Sequence, residues 1–432
     1  MKRIQLEIKA LSPLAIGRQK PGGSVSEVEN YIPGTVIRGA IASQILQQYR
    51  QDEQTQQAER LRQDFSHNGG DFQTLFLGET PAIFQNAYPA VLNIDDEFVI
   101  QDEIRVLPAT ALSSKTKSGF KPENNGVFDT LIDRFCAERY GHLYDPNCPT
   151  DGGRVDTVDF SFYSELNDEY YNHTVSKRLL TRVGINRRRA TAEEQILYSI
   201  EVLNESESKG KNPKPVIYMG AILVTDALAD SLKEFINNHK EGFRLGGSTS
   251  RGLGKVKMDA KLPVDAKPKL ADKINQFNDT LQKRWNDWKV FGNPLEEQMS
   301  NCPADRLCQR TYFTLDLQSD AILSEQWRRT TVISAAMLQQ FTDVQDTSLK
   351  LEAVYSSYDY RSGWNAAWGL MKDVELVTNK GAVYLFSTTQ KNDWIEALEK
   401  LEVQGIGERI PEGFGQVRVC DKFHLIIREE AV

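Results

Sequence analysis

Glycines that recur in two short segments are the residues of this chain whose spacing could do chemistry. They stand within Phe-Arg-Leu-Gly-Gly-Ser-Thr-Ser-Arg-Gly-Leu-Gly-Lys-Val at 243–256 and Gly-Ile-Gly-Glu-Arg-Ile-Pro-Glu-Gly-Phe-Gly-Gln-Val at 405–417. Glycine has no side chain and accepts positive φ, so such a loop can bring backbone N–H groups close to a phosphate. Arg251 and Arg409 add a positive charge to each segment. The segments predict contact with RNA, and the alternative is two hairpin or bulge loops without a ligand.

The residues that follow each segment argue against a nucleotide-binding fingerprint. Residues 255–258 and 416–419 alternate as a strand does. Both the P-loop and the dinucleotide fingerprint need a helix N-terminus at this point to hold phosphate. In addition, Leu253 occupies the position where a P-loop carries its lysine. Each segment is therefore predicted to be a loop that leads into a strand.

Composition sets the limits within which these loops must act. The chain has 432 residues, 40% of them hydrophobic and 26% charged, a length that suggests roughly two to three domains. No apolar run approaches the ~18 residues of a membrane span, and residues 1–8 alternate like a strand instead of forming a signal-peptide core. Five scattered cysteines do not form a disulfide framework. We therefore expect a cytoplasmic protein with reduced thiols.

The net charge of −8 excludes a protein that coats nucleic acid through bulk positive charge. Any contact with RNA must therefore be local. Two local basic patches are present, and their members are Arg182, Arg187, Arg188 and Arg189 in one and Arg244, Arg251, Lys255 and Lys257 in the other. The acidic surface elsewhere could face protein partners.

The periodicity of the chain predicts one plan used twice. The first copy has a strand at 3–11, a helix at 35–50, a buried strand at 215–225, a helix ending near 242, and then the first glycine-rich segment. The second has a strand at 312–317, a helix at 327–341, a buried strand at 381–386, a helix at 394–401, and then the second segment. A charged helix at 271–288 lies between them. This order predicts an α+β protein with helices on one face of antiparallel sheets.

Three segments resemble the RAMP superfamily of CRISPR-associated proteins. They are Ile-Pro-Gly-Thr-Val-Ile-Arg-Gly-Ala at 32–40 after the first strand, the glycine-rich loop at 246–254, and the ending at 405–415. The last of these looks most like the two-domain RAMP subunit of type III-D effectors, grouped with the subunits that cap the 5′ tag of the guide. The resemblance implies tandem ferredoxin-like (RRM-like) RAMP domains, each ending in a glycine-rich loop that contacts guide RNA.

We place an N-terminal RAMP domain at 1–262 with an insertion at about 95–215, a linker with a helix at 263–309, and a C-terminal RAMP domain at 310–432. The resemblance implies a non-catalytic crRNA-binding subunit, in contact with target RNA indirectly. Its protein partners would be other RAMP backbone subunits and the large polymerase-like subunit of the effector.

The predicted RNA-binding residues combine loop glycines with nearby polar and basic side chains. They are Arg18, Arg38, Arg182, Arg187, Arg188, Arg189, Arg244, Gly246, Gly247, Ser248, Ser250, Arg251, Gly252, Gly254, Lys255, Gly405, Gly407, Arg409, Gly413 and Gly415. Residues 181–189 could form a protruding basic hairpin that enters between nucleotides, or a solvated charged turn. Tyr358, Tyr360, Trp364 and Trp368 could stack on bases, although aromatic clusters more often form core.

Two other functions stay open at the level of sequence. In the family, backbone subunits cut target RNA with an aspartate after the first strand, and here that loop holds only Glu27 and Glu29. A metal-dependent endoribonuclease would use one of these glutamates, and a metal-free, guide-processing one would use His173 as acid or base. The third possibility is a protein-only scaffold in which neither loop touches RNA.

A zinc site is the one cofactor that the cysteines suggest. Cys136, His142, Cys148 and Asp151 could be the remnant of a zinc ribbon, but their spacing lacks the two close cysteine pairs typical of a structural site. Cys302 and Cys308 are also off that pattern. Ordinary buried thiols are the alternative, and the sequence predicts no obligatory cofactor.

Overall fold

A computed structural model of the chain describes residues 1–18, 27–53, 70–94, 97–186, 191–207, 214–265, 269–292, 309–365 and 369–432. Its first sheet is antiparallel, with the strand order Val256–Ala260, Lys2–Ala10 and Ile217–Val224. Two short strands, Ile83–Phe84 and Tyr88–Pro89, both pair with the free edge of Ile217–Val224. In the opening strand, alternate residues Ile4, Leu6 and Ile8 are fully buried, as period-two patterning requires.

Two long helices cover this sheet and complete what we call the first unit, and the shorter helix Gly70–Phe76 adds Leu75 and Phe76 to its core. The long helices are Gly34–Glu53, which buries Ile37 and Ile41, and Asp226–Asn238, which buries Ala229, Leu232 and Ile236. The buried side chains recur every three or four residues and share one core with the sheet. The predicted strands and helices of this half of the chain are confirmed.

The second sheet repeats the strand order of the first. It runs Lys350–Tyr355, Val383–Thr388, Thr311–Leu317 and Val417–Val419, all antiparallel. The helices Ala335–Thr342 and Lys391–Gln404 belong to this second unit and contribute Leu338, Trp394 and Leu398 to its core. In both sheets, therefore, the first strand is central and lies between the last strand and the third.

One predicted helix of the second unit is wrong over its first half. Residues 327–341 do not form a single helix, because Leu323–Glu325 and Arg328–Thr330 pair as a hairpin and the helix begins only at Ala335. Thr330, Thr331 and Val332 are β-branched, which favours extended backbone at this point. Ser334 caps the helix, since its Oγ accepts a hydrogen bond from the Met337 N–H at 3.1 Å.

The helix between the two sheets, Ala271–Trp288, matches its predicted bounds. It buries Ile274, Phe277, Leu281 and Trp285, and all four join the core of the second unit. Helix Leu131–Arg139 of the insertion packs into the same core. The second unit is thus covered by elements that precede it in the chain.

The insertion is also tied to the second unit by a buried histidine. His424 lies between two buried carboxylates, with Nδ1 3.1 Å from Asp129 Oδ2 and Nε2 2.8 Å from Asp316 Oδ1. Burial disfavours the charged imidazolium, but the two carboxylates outweigh it and raise the pKa of His424 well above its ordinary value. The charged histidine therefore joins a strand of the insertion to the central strand of the second sheet.

The most extended part of the insertion is a long hairpin. Lys177–Asn186 pairs with Thr191–Leu203.

The remaining strands are Gly17–Arg18, Glu27–Val28, Val91–Ile94, Glu97–Ile100, Arg105–Val106, Ala111–Ser114, Val127–Asp129, Val155–Thr157, Phe162–Leu166, Glu169–His173, Ser206–Glu207, Lys214–Pro215, Val264–Asp265, Tyr358–Arg361, Trp364–Asn365, Leu370–Met371 and Glu375–Thr378. A further α-helix is Gly70–Phe76, and the short 3₁₀ helices are Thr249–Arg251, Lys289–Phe291, Ile410–Glu412, Lys422–Leu425 and Arg428–Glu430. Among the described residues, no helix is both long and apolar enough to cross a membrane.

Candidate nucleic-acid interface

The two glycine-rich loops have the same backbone conformation. We call residues 246–254 the first glycine-rich loop and residues 407–415 the second. Each contains a left-handed residue, Ser248 at φ 56° or Arg409 at φ 57°, followed by a single 3₁₀ turn. Each turn ends at a left-handed glycine, Gly252 at φ 83° or Gly413 at φ 93°. The loops therefore correspond position by position.

Each loop is anchored to the segment that follows the central strand of its own sheet. Gly247 donates its N–H to Ala15 O at 2.8 Å, and Glu408 donates to Ile322 O at 2.9 Å. Gly254 and Gly415 make the corresponding bonds to Pro13 O and Asp320 O, both at 2.9 Å. Because these anchors match, the differences between the loops arise from side chains and surroundings.

The first glycine-rich loop is open. A Cβ atom added to Gly252 would meet no atom within 4 Å, and one added to Gly247 would meet only Ala15 O at 3.7 Å. Within the described part of the chain, the N–H groups of Ser248, Thr249 and Ser250 donate to no acceptor. Three consecutive free donors beside exposed glycines form a surface to which an anion can come close.

Basic side chains surround the open loop. The Arg251 guanidinium lies 5.3 Å from the Tyr198 ring centroid and donates from Nη1 to its hydroxyl at 2.6 Å. Arg182 donates from Nη1 to Arg251 O at 3.0 Å, which places the long hairpin against the loop. Arg244 and Lys255 are exposed and face each other across an isolated antiparallel bridge. Of the hairpin arginines, Arg187, Arg188 and Arg189 lie outside the described residues.

The second glycine-rich loop is closed by the first unit. A Cβ atom added to Gly413 would lie 2.7 Å from Phe84 O and 3.1 Å from Gly34 Cα. Glycine is required here both for its positive φ and because the two backbones are in contact. The Pro-Gly turn at 33–34 and the second loop thus form a seam between the two units.

The charges of the second loop neutralise one another. Arg409 donates to Glu412 from Nε at 3.1 Å and from Nη2 at 2.6 Å, and Lys372 donates to the same carboxylate at 3.0 Å. Burial opposes ionisation of Glu412, but Arg409 and Lys372 outweigh it and lower the pKa of this carboxyl to about 2. Arg409 also lies 5.0 Å from the Phe414 ring centroid. It is therefore engaged within its own loop.

Both loops border one cleft between the two units, with a volume of about 770 Å³. Gly246, Gly247 and Arg244 line it from one side, and Arg409, Gly413 and Phe414 line it from the other. The start of helix Gly34–Glu53 and the hairpin formed by Gly17–Arg18 and Glu27–Val28 complete its wall. The structure thus brings together two segments that are more than 150 positions apart in the chain.

A cluster of charged side chains forms the wall of the cleft between the units. Arg361 pairs with Glu29 and, through Nη2, with Asp320 Oδ2 at 2.6 Å. Arg18 pairs with Asp359 and lies 3.7 Å from Glu29 Oε1. Two arginines and three carboxylates are therefore shared between the first and second units, and Arg18 is held by acidic partners.

The two nuclease candidates of the sequence analysis are not in suitable positions. Glu29 is buried and engaged by Arg361, while the exposed Glu27 faces Arg18 across the hairpin. His173 is buried, with Nε2 2.8 Å from Ser164 Oγ, and burial lowers its pKa to about 4. His173 was the histidine expected nearest to RNA, but its strand turns this side chain into the core.

The four candidate zinc ligands do not form a site in this structure. Among the described residues, no three His, Cys, Asp or Glu side chains form a group that could hold a metal ion. Cys136 and Cys148 are buried free thiols, and the His142 ring lies 3.1 Å from Phe291 O. Asp151 instead accepts hydrogen bonds from Ser114, Thr116 and Asn125. Cys302 and Cys308 are outside the described residues.

Other predicted residues have structural contacts. Arg38 donates to Phe76 O at 2.9 Å and lies 5.3 Å from the ring of the same residue. Tyr358 and Tyr360 are exposed on one face of a strand with ring centroids 6.1 Å apart. The side chains of Trp364 and Trp368 are outside the described part.

Sequence reasoning missed three residues that shape the site. Tyr198 could have been found by pairing the two hairpin strands, since it lies opposite Arg182. Arg361 and Lys372 come from a region that has no recognisable motif and reach the cleft only through tertiary structure.

The fold and cleft define an α+β protein whose paired glycine-rich loops border a single groove. A sequence model of the RAMP superfamily matches residues 7–257, more than half of the chain, and the protein therefore belongs to this superfamily. No curated protein matches it.

Solved structures with partial similarity include chains of the type III-B Cmr-beta complex and oligomeric Cmr4. A chain of the type III-B Cmr-beta complex bound to cognate target RNA and AMPPnP is 12% identical, covers 91% of this chain and 88% of its own length, and has a TM-score of 0.38. Oligomeric Cmr4 from Pyrococcus furiosus is 13% identical, covers 60% of this chain and 98% of its own length, and has a TM-score of 0.24.

Proposed function

We propose that this protein is a crRNA-binding subunit of a type III CRISPR RNA-guided interference complex, of the III-D subtype. The observation that carries the proposal is the open first glycine-rich loop, with its free N–H groups and surrounding arginines at the edge of the cleft. Membership of the RAMP superfamily supports it. The residues of this loop and the long hairpin would hold the guide.

The chemistry of the open loop suits the backbone of single-stranded RNA. Its glycines admit a phosphate to the N–H groups of Ser248, Thr249 and Ser250, and Arg244 and Arg251 supply charge on either side. Single-stranded RNA is held in this way by donors and cations on phosphates, with aromatic side chains under bases. Because the chain as a whole carries a net charge of −8, such contacts would be confined to this face.

We further propose that the two units are tandem ferredoxin-like domains. Both have the strand order last, first, third, second, with a covering helix that follows the first strand and another that follows the third; the first unit has the additional short helix Gly70–Phe76. The proposed boundaries are 1–262, 263–309 and 310–432, with helix Ala271–Trp288 packed on the C-terminal domain although it lies in the linker. The insertion would then extend the guide-binding face of the N-terminal domain.

The proposed partners are other RAMP backbone subunits and the large polymerase-like subunit, with target RNA contacted indirectly. The acidic remainder of the surface suits protein interfaces better than nucleic acid. A cytoplasmic location is part of this proposal.

Recovery of bound RNA tests the function. The tagged full chain would be purified from cells that carry a type III locus, and the co-purifying RNA would be sequenced. We expect guide RNA carrying its 5′ repeat tag. Arg251→Glu should reduce the recovered guide strongly, whereas the matched control Lys283→Glu, an exposed cation on helix Ala271–Trp288, should not.

Absence of guide RNA from the parent protein and its complex would refute the proposal and favour a protein-only scaffold. An equal loss of guide in Arg251→Glu and Lys283→Glu would show that bulk charge, and not the loop, determines binding.

A further inference from the structure

The hairpin formed by Leu323–Glu325 and Arg328–Thr330 carries a tryptophan where a turn residue is expected. Its two-residue tip is Gln326 at φ 48° and Trp327 at φ 65°. A turn with positive φ at both positions favours Asn-Gly, because larger side chains strain this backbone. The Trp327 side chain is also fully exposed to solvent. The strained turn costs stability and the exposed ring offsets none of that cost through burial, so this residue type is not explained by the fold.

The base of the hairpin is fixed beside the second glycine-rich loop. Ile322 forms an antiparallel bridge with Glu408, and the same glutamate accepts hydrogen bonds from Ser324 Oγ at 2.7 Å and Arg329 Nη1 at 2.5 Å. Arg329 also pairs with Glu375, which lines the cleft, at 2.7 Å. These contacts hold the strands of the hairpin close to the cleft, while its two-residue tip is exposed to solvent.

The tip combines one aromatic ring with one available cation. Arg328 is exposed and pairs with no carboxylate among the described residues. The remaining hairpin positions around the indole, Ser324, Glu325, Gln326 and Arg329, are polar or charged. An anchor for a protein partner usually lies within a wider apolar surface, which this tip lacks. An isolated ring beside an arginine instead matches the way in which proteins hold unpaired bases.

We propose that Trp327 is a base-stacking site for single-stranded RNA, with Arg328 on an adjacent phosphate. The inference rests on the proposed function, because it assumes that RNA passes along the cleft. It adds a second contact region, on the C-terminal side of the cleft, to the one at the first glycine-rich loop. The strained turn is then explained, because binding and not stability determines the residue at the tip.

Replacement by glycine separates the two roles of this position. Trp327→Gly should leave the melting temperature unchanged or raise it, because glycine suits the turn. The affinity of the full chain for a fluorescein-labelled single-stranded RNA oligonucleotide, measured by anisotropy, should fall by about tenfold. Trp327→Phe keeps a ring and should lose only about threefold. A 4-thiouridine oligonucleotide should form an adduct with Trp327 on irradiation.

The inference would be overturned if Trp327→Gly bound RNA as tightly as the parent. If that variant also lost co-purifying protein subunits, the tip would be assigned to a protein partner. The outcomes for the two proposals are distinct. If the parent chain and its purified complex bind no RNA, the proposed function fails as well. If the parent binds and only Arg251→Glu weakens binding, only the Trp327 inference fails.

Discussion

The two glycine-rich loops share a backbone and differ in what surrounds them. In the first loop, Gly252 faces open space, and the residue before it is the exposed cation Arg251. In the second, Gly413 packs against the backbone of Phe84, and Glu412 occupies the position of Arg251 and neutralises Arg409. Under the proposed function, one conformation would serve as a ligand surface in the first unit, and in the second it forms the seam between the units. A glycine-rich pattern alone does not say which of these it will be.

A further difference lies in the backbone donors. Among the residues that the structure describes, nothing accepts a hydrogen bond from the Ser250 N–H of the first loop, whereas the corresponding residue of the second loop is Pro411, which has no N–H group. The first loop therefore offers more donors, more open space and more free charge to a phosphate. Four experiments test this comparison.

The largest effect is expected at the seam. Gly413→Ala adds a Cβ 2.7 Å from Phe84 O at a residue with φ 93°, and it should lower the free energy of unfolding by about 3 kcal/mol. Gly252→Ala should lower the free energy of unfolding by only about 1 kcal/mol, because the new Cβ has no neighbour within 4 Å and the only cost is backbone strain at φ 83°. Chemical denaturation of both variants measures the difference. Equal destabilisation would contradict the assignment of the seam.

Charge reversal should affect RNA binding differently in the two loops. Arg251→Glu is expected to weaken binding of single-stranded RNA by more than about tenfold, because it places a negative charge at the open loop. Arg409→Glu sets two carboxylates side by side and should mainly lower stability. Anisotropy titrations at one fixed salt concentration, with melting temperatures beside them, distinguish the two. A stronger loss of affinity in Arg409→Glu would reverse the roles of the loops.

The ion pairs of the second loop should make the seam sensitive to acid. The folded-state pKa of Glu412, about 2, lies below its ordinary value of 4.5, so its stabilising contribution is present above about pH 4.5. That contribution, on the order of 1–2 kcal/mol, is lost as the pH falls from 4.5 towards 2. Glu412→Gln should therefore destabilise the protein at pH 7 and show a smaller loss on acidification. Parallel stability profiles of parent and variant would refute this account.

The smallest effect comes from exchanging one backbone donor. Ser250→Pro copies the residue of the second loop into the first, keeps the shared 3₁₀ turn and removes one N–H group. Loss of one hydrogen bond to phosphate should weaken RNA binding by about fivefold without a loss of stability. The reciprocal Pro411→Ser should leave RNA affinity unchanged. Unaltered binding by Ser250→Pro would show that the amide is not used.

Local sequence patterns, in which apolar residues recur every two residues or every three to four, predicted most of the fold. The opening strand, the helix Ala271–Trp288 and both glycine-rich loops were located from the sequence because alternation, helical spacing and glycine position are local signals. The hairpin with Trp327 at its tip was missed because Gln-Trp has none of the usual turn chemistry. Local rules fail here at a position whose residue we attribute to binding.

The roles of single charged residues could not be read from the chain. Glu29 is paired with Arg361, 332 positions away, and no spacing rule links such residues. His173 alternates within a strand whose buried face depends on its neighbours in the sheet. Closure of the second loop likewise depends on a segment of the other unit, so its motif resembles that of the open loop although its surroundings differ.

Crosslinking of the assembled complex tests the central claim most directly. The chain would be purified with a 4-thiouridine-substituted guide, irradiated and digested, and RNA adducts would be located by mass spectrometry. We predict adducts within 246–254 and at the neighbouring hairpin strand near Arg182, with few or none within 407–415, and loss of the first set in Arg251→Glu. Adducts confined to 407–415, or absent from all three segments, would contradict the assignment of the first glycine-rich loop as the guide-binding surface.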